Sequence, residues 1–299
     1  MAVMIEPALL RGRDHYERVT TGRVDNTHDD AFTHVVHLED PERALDVEIV
    51  ATPSPDYAIR AARCHALRGD VAASVIEGIA ALRGVAMVGG LTRRALDAVG
   101  GGPGAALAVD GVIEAARLAR QVAKLPPEHA ARAASRDPWE CWQLDRAGWV
   151  DLPDSCFTYS ETGARLFGTR PISTPIHPEL YRPRPGQRGV FERRKIARLE
   201  RRDGRVLVFH AMHDNVHGFE LRLEIDVASG TVVGAEHAAP RLPYRGICDE
   251  PQRKFTALLG EHVDDDLRRR IQVHLGGPTG CAQLYDLTAD LLKLLAARV

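Results

Sequence analysis

The densest run of chemistry-bearing side chains is FHAMHDNVHGFE, residues 209–220, which holds His210, His213, Asp214 and His217. On a strand, His210 and His213 face opposite sides, so three histidines share a metal only if the turn bends sharply. Asp214 and His217 span a tight turn, where a carboxylate can orient an imidazole as a general base. The plainer alternative is an Asx turn beside a surface histidine.

Two cysteines follow. Cys248 stands just ahead of DEPQRKF, and Cys281 ends the glycine-rich stretch LGGPTGC before AQLYDLTADLLKLL. At a helix start, exposed N–H groups and the helix dipole lower a thiol's pKa. Two such thiols could converge on a metal or cluster, with His217 as a third ligand. Alternatively they are buried and behave as small hydrophobes, since two thiols fill half of a four-ligand site.

Tyr244, Arg245 and Tyr285 flank these cysteines. A phenol can donate or accept a proton, and a guanidinium can neutralise a carboxylate or phenolate. The tyrosines fit core packing equally well. All three tryptophans, Trp139, Trp142 and Trp149, lie in one Pro-rich stretch. They are expected either to pack as an ordered connector or, at Trp142 and Trp149, to wall a cleft for a planar ligand.

The elements that must position these groups occur twice in the same order. LDVEIVATPSPDYAIRAARCHALRG, a helical run and GGPGAALAVDGVIEAARLA are matched by LRLEIDVASGTVVGAEHAAPRLPYRG, a helical run and GGPTGCAQLYDLTADLLKLL. Gly69 pairs with Gly246 and Pro103 with Pro278 at nearly equal spacing. In this register Val71 stands opposite Cys248, Ala106 opposite Cys281, Leu67 opposite Tyr244 and Asp110 opposite Tyr285. The earlier copy thus keeps the turns and lacks the reactive side chains.

Leu221, Leu223 and Ile225 alternate with Arg222, Glu224 and Asp226, the period of a half-buried antiparallel strand. RVLVFHAM is a further strand, ASG a turn, Asp249-Glu250-Pro251 a helix start and Gly260 its end. Leu284, Leu287, Leu291, Leu294 and Leu295 mark one helix face. Val109, Val112, Ala116 and Ala119 mark its counterpart. The expected fold is α+β, two tandem repeats that are each a small antiparallel sheet with helices on one face. The expected boundaries are an N-terminal arm over 1–30, a first, degenerate repeat over 31–130, a connector over 131–187, and a second repeat with the site over 188–299.

The chain has 299 residues, 44% of them hydrophobic, which suits a globular protein with a proper core. A net charge of -2 argues against nucleic acid or an anionic membrane as main partner. The basic run from Arg182 to Arg205 is expected to be a solvated strand face balanced by acids. Five sparse cysteines, a charged N-terminus without a signal-peptide core and no span of roughly 20 apolar residues suggest a reducing cytoplasm with free thiols. No phosphate-binding or dinucleotide loop, HExxH or nucleophile elbow occurs, so no organic cofactor is expected.

The segments HDNVHGFELRLEID, LPYRGICDEP and GGPTGCAQLYDL, with D-x-x-H, R-G-x-C and G-C-x-x-L in this order, resemble a bacterial family catalogued as a domain of unknown function, family twenty-eight eighty-nine. The resemblance runs from Val190 to the end. That family's pattern has a histidine two residues after the second cysteine, where Gln283 stands here. A remoter likeness, in element order, is to NifU/IscU-type iron–sulfur scaffold proteins. It places Cys248 and Cys281 near two cluster ligands and His217 near an aspartate.

The family resemblance implies a role in bacterial catabolism of small aromatic compounds. The expectation is a cofactor-independent lyase or related carbon-bond enzyme on a small aromatic or phenolic substrate, possible as a homo-oligomer. His217 is its base, Asp214 the orienter, Tyr244 or Tyr285 the proton donor and Arg245 the anion clamp, with Cys248, Cys281, Trp142 and Trp149 lining the pocket. The rival expectations are a metal or iron–sulfur protein using Cys248, Cys281 and His217, and a non-catalytic partner subunit.

Overall fold

A computed structural model describes residues 7–296, the last of these by its backbone alone. The first six residues of the expected arm and the last three of the second repeat lie outside the described residues. Eight strands form an antiparallel sheet in the order β4-β3-β2-β1-β5-β6-β7-β8, accompanied by helices. The class is α+β, as the patterning predicts. The residues divide into two compact units. The first comprises Val19–Val150 and Ile176–Arg194, and the second Met1–Arg18, Asp151–Pro175 and Lys195–Val299.

The first unit contains most of β1 (His15–Asn26), then β2 (Phe32–Glu39), β3 (Ala44–Ala51) and β4 (Ile59–Arg68), each paired antiparallel with the next. The polar first 30 residues, expected as an arm, therefore hold a twelve-residue strand whose Val24, Asp25 and Asn26 are buried. Helices α1 (Ala73–Ala80), α2 (Leu91–Val99) and α3 (Ala105–Leu118) follow. Val109, Val112, Ala116 and Ala119 are all buried, as their spacing requires. Gly111 lets α3 approach the sheet, since a Cβ there would meet Val47 Cγ2 at 2.6 Å.

The expected connector has no single fate. Its α4 (Pro127–Arg132) and α5 (Pro138–Gly148) belong to the first unit, and α6 (Glu161–Ala164) to the second. Asp137 caps α5 by accepting the Glu140 N–H at 3.0 Å, with Pro138 at the first helical position.

The second unit holds the later half of β5 (Gln187–Arg202), then β6 (Arg205–Asp214), β7 (Gly218–Asp226) and β8 (Val232–Arg241). Leu221, Leu223 and Ile225 are buried on β7 while Arg222 is exposed, so the period-two reading holds. β7 pairs antiparallel with β6 and β8. The run after Cys248 is a single α turn, α7 (Asp249–Gln252), continued as a 3-10 segment over Arg253–Leu258 rather than one α-helix. Helices α8 (Leu267–Leu275) and α9 (Ala282–Ala296) complete the unit. The leucine stripe of α9 is buried throughout.

The basic run differs from expectation. Arg198 does pair with Glu17 in the open. Arg193 and Lys195, however, point inward, to Glu114 at 3.3 Å and Asp290 at 2.9 Å respectively. Strand alternation puts Arg193 and Lys195 on the covered face of β5, where each meets a carboxylate from a helix, while Arg194 and Arg198 between and beyond them are exposed.

Candidate functional site

The Asp214–His217 pair sits where β6 ends and β7 begins. His213 pairs with Gly218, and the Asp214 N–H donates to the His217 carbonyl at 2.8 Å, which closes the turn. Asp214 Oδ1 accepts the Val216 N–H at 2.8 Å and the His217 N–H at 2.5 Å, and lies 3.1 Å from His217 Nδ1. An ionised carboxylate only accepts, so Nδ1 carries the proton toward Asp214 and the lone pair is left on Nε2. The ring is stacked on Phe219, 6.2 Å between centroids. The turn is thus an Asx turn and an oriented imidazole at once.

The other two histidines diverge from it, as strand geometry predicts. His210 is buried, with Nδ1 2.9 Å from the Leu287 carbonyl. His213 is exposed beside Glu220.

Both cysteines stand at helix starts. Cys248 immediately precedes α7 and donates its N–H to the Tyr244 carbonyl at 2.8 Å. Cys281 immediately precedes α9. Its N–H donates to the Leu275 carbonyl and its carbonyl accepts the Tyr285 N–H. Its thiol is not activated as expected. Burial and the neighbouring Cys156 push it up to about 11, although the Leu284 and Gln283 N–H groups and the Gln252 side chain pull the other way. Burial likewise raises Cys248 strongly, with further raising by Cys156 and Cys281 and partial relief from Thr158. Desolvation therefore outweighs the helix dipole at these sulfurs.

A third thiol, Cys156, belongs to this cluster and escaped the sequence reading. Thr158 Oγ1 lies 3.0 Å from Cys248 Sγ, and the Phe157 N–H donates to the Gly280 carbonyl at 2.8 Å. Burial raises the Cys156 thiol against the Tyr159, Thr158 and Ala282 N–H groups and the Ser155 hydroxyl. Gln252, almost fully buried, donates Nε2 to the Cys248 carbonyl at 3.1 Å, while its Oε1 has no partner among the described residues. Nothing local marks Cys156, because it lies in a segment with no periodicity that joins the unit only by folding back. Among the described residues, no group of three or more His, Cys, Asp and Glu side chains is arranged to hold a metal ion.

Tyr244 is fully buried, with Tyr159 and Phe167 edge-on at 6.3 and 5.9 Å. Arg245 is committed locally. Its Nη2 donates to the Ala239 and Pro240 carbonyls and its Nη1 pairs with Asp249, so it braces the chain leaving β8. That leaves little of the guanidinium for the expected anion clamp. Tyr285 is half-buried on the first turn of α9. These three residues, Asp214, His217, Cys248 and Cys281 all lie in the second unit.

Trp142 and Trp149 belong to the first unit and are buried there. Trp142 stacks on Trp139 at 4.9 Å with Arg146 over its ring, and Trp149 lies 5.9 Å from Tyr181. Tyr181 in turn donates its hydroxyl to Asp145 at 2.7 Å.

The protein is thus α+β, with a carboxylate-oriented imidazole at a hairpin turn and thiols at two helix starts. Residues 197–296 match the family model described as "Protein of unknown function (DUF2889)". The D-x-x-H, R-G-x-C and G-C-x-x-L motifs all fall within the matched residues. No curated protein and no solved structure matches the chain.

Proposed function

We propose that the second unit carries a general acid–base site with His217 as base and Asp214 as its orienting carboxylate. The chain acts, on this reading, as a cofactor-independent lyase or related carbon-bond enzyme on a small aromatic or phenolic compound. The observation that carries it is the 3.1 Å contact of a fully covered Asp214 oxygen with His217 Nδ1. It fixes one ring nitrogen and leaves Nε2 to take a proton. Tyr285 is the better proton donor of the two candidate tyrosines, because Tyr244 is fully buried.

The repeat is part of the same reading. In both halves four strands are followed by helices, and the paired Gly69 and Gly246 both take positive φ after the fourth strand, +77° and +103°. An ancestral duplication, with the earlier copy stripped of its thiols and imidazole, accounts for this order. The free thiols favour a reducing, cytoplasmic setting.

The test is a gene-disruption strain grown on a panel of aromatic carbon sources, with the accumulated metabolite identified. Restoration by the native gene and failure by His217→Ala at equal protein level is the expected result. Restoration by His217→Ala would end the catalytic reading and favour a non-catalytic partner subunit, whose deletion abolishes a complex.

A second reading starts from the neighbouring Cys156, Cys248 and Cys281 thiols, although among the described residues no three such side chains are arranged to hold a metal ion. A metal or cluster held by Cys248 and Cys281, with His217 or a third sulfur, would convert these thiols to thiolates. Elemental analysis of anaerobically purified protein separates the two. Stoichiometric iron or zinc, lost in Cys248→Ser, would replace the cofactor-free reading.

A further inference from the structure

Three thiols meet in the second unit without a role in the imidazole site, and they are not equivalent. Cys248 is buried, with its sulfur against Thr158 Oγ1 at 3.0 Å. Cys156 and Cys281 are only half-buried. The 2.8 Å hydrogen bond from the Phe157 N–H to the Gly280 carbonyl joins the peptide after Cys156 to the peptide before Cys281, so their backbones are direct neighbours. The Ala282 N–H, one residue beyond Cys281, reaches the Cys156 sulfur, which places that sulfur over the start of α9. The two sulfurs also feel one another electrostatically. Neighbouring backbones, both side chains at one helix start and partial exposure are what a disulfide between distant residues requires.

We propose that Cys156 and Cys281 are a reversible oxidation site that closes as an intramolecular disulfide when the chain meets a low-mass disulfide. One thiol, as thiolate, attacks the oxidant R–S–S–R, forms a mixed disulfide and releases one RS⁻. The second thiol, as thiolate, displaces the other RS⁻ and forms the Cys156–Cys281 bond. Two electrons pass to the oxidant, and the two cysteine protons end on two molecules of RSH. Cys248 stays reduced, because it is the buried residue of the three. The closed bond would tie the 155–158 segment to the start of α9, fixing the N-terminus of the helix that carries Tyr285. The inference stands apart from the Asp214–His217 base.

The test treats the folded protein with oxidised glutathione, then alkylates, digests with trypsin and maps the peptides. A single link between peptides 147–165 and 271–293 is expected, with the free thiols falling from five to three. Thioredoxin plus its reductase should restore all five. Cys248→Ala should leave the link intact, and Cys156→Ser should abolish it with the circular dichroism unchanged. A link through peptide 246–253, or five free thiols in folded protein under conditions that oxidise the urea-unfolded chain, would overturn the proposal. So would mixed disulfides that never resolve into the internal bond.

Discussion

Both oxygens of Asp214 lie within reach of His217 Nδ1, at 3.1 and 3.3 Å, and Oδ1 accepts two further hydrogen bonds, from the Val216 and His217 N–H groups. The latter two hold the backbone. The residue is thus a structural brace and a positioning residue together, and the two roles are separable by substitution.

Asp214→Ala should lower stability by about 2–3 kcal/mol, since two buried N–H groups lose a charged acceptor. Asp214→Asn keeps an acceptor oxygen and should cost less than half of that. Urea unfolding of the two variants beside the native chain measures both. Equal losses below about 0.5 kcal/mol would mean that the Asp214 N–H to His217 carbonyl bond alone defines the turn.

Burial holds the Cys281 proton to about pH 11, with Cys156 repulsion as the second cause. Its alkylation by iodoacetamide in folded protein should therefore accelerate about tenfold per pH unit from pH 8 to near 11. Cys156→Ser should shift that midpoint downward. In stability terms, the unfolded thiol releases its proton near 9.0 and the folded one near 11. This group's contribution is full below pH 9 and declines as pH rises through that window. A rate plateau near pH 8.5 would contradict the buried setting.

His34 is completely buried on β2, with Nδ1 3.1 Å from the Ile49 carbonyl and Nε2 without a partner among the described residues. Desolvation lowers its pKa from 6.5 to about 4. The folded state binds fewer protons than the unfolded between those values. The stability is full above pH 6.5 and falls as pH drops toward 4, by about 3 kcal/mol at most. Chemical denaturation of native protein and His34→Gln across pH 4–7 should show a shallower slope for the variant. Identical slopes would remove His34 as the cause.

Two glycines test how closely the first unit is packed. A Cβ on Gly78 would meet the Ala98 carbonyl oxygen at 2.3 Å and Val99 Cα at 2.6 Å, both backbone. A Cβ on Gly111 meets side-chain rather than backbone atoms, Val47 Cγ2 at 2.6 Å and Leu38 Cδ1 at 2.9 Å, of which the leucine end can rotate away. Gly78→Ala should therefore cost about 3 kcal/mol and Gly111→Ala about 1 kcal/mol. Thermal melts that reverse this order would show that α1 and α2 separate more easily than α3 lifts from the sheet.

Much of the fold was legible along the chain. The alternation in β7 and the leucine stripe of α9 are local periodicities, and burial follows them residue by residue. The Asp214–His217 turn was legible for the same reason, since a carboxylate three residues from an imidazole needs only one tight turn to reach it. The 1–30 stretch was misjudged because a strand with polar outward positions looks like an arm until β2 pairs with it. Arg193 and Lys195 were misjudged because their carboxylate partners lie far off in sequence, on α3 and α9.

The class, the strand and helix faces, the cysteines at two helix starts and the imidazole turn can all be read along the chain, because each depends on neighbours a few residues away. The packing of the folded chain brings Cys156 to Cys248 and Cys281, spends Arg245 on the β8 carbonyls and leaves Trp142 and Trp149 in the other unit. Those outcomes depend on where an irregular segment folds back, which no periodicity encodes. They depend also on desolvation, which is set by everything packed around a group and overrode the helix start at Cys281.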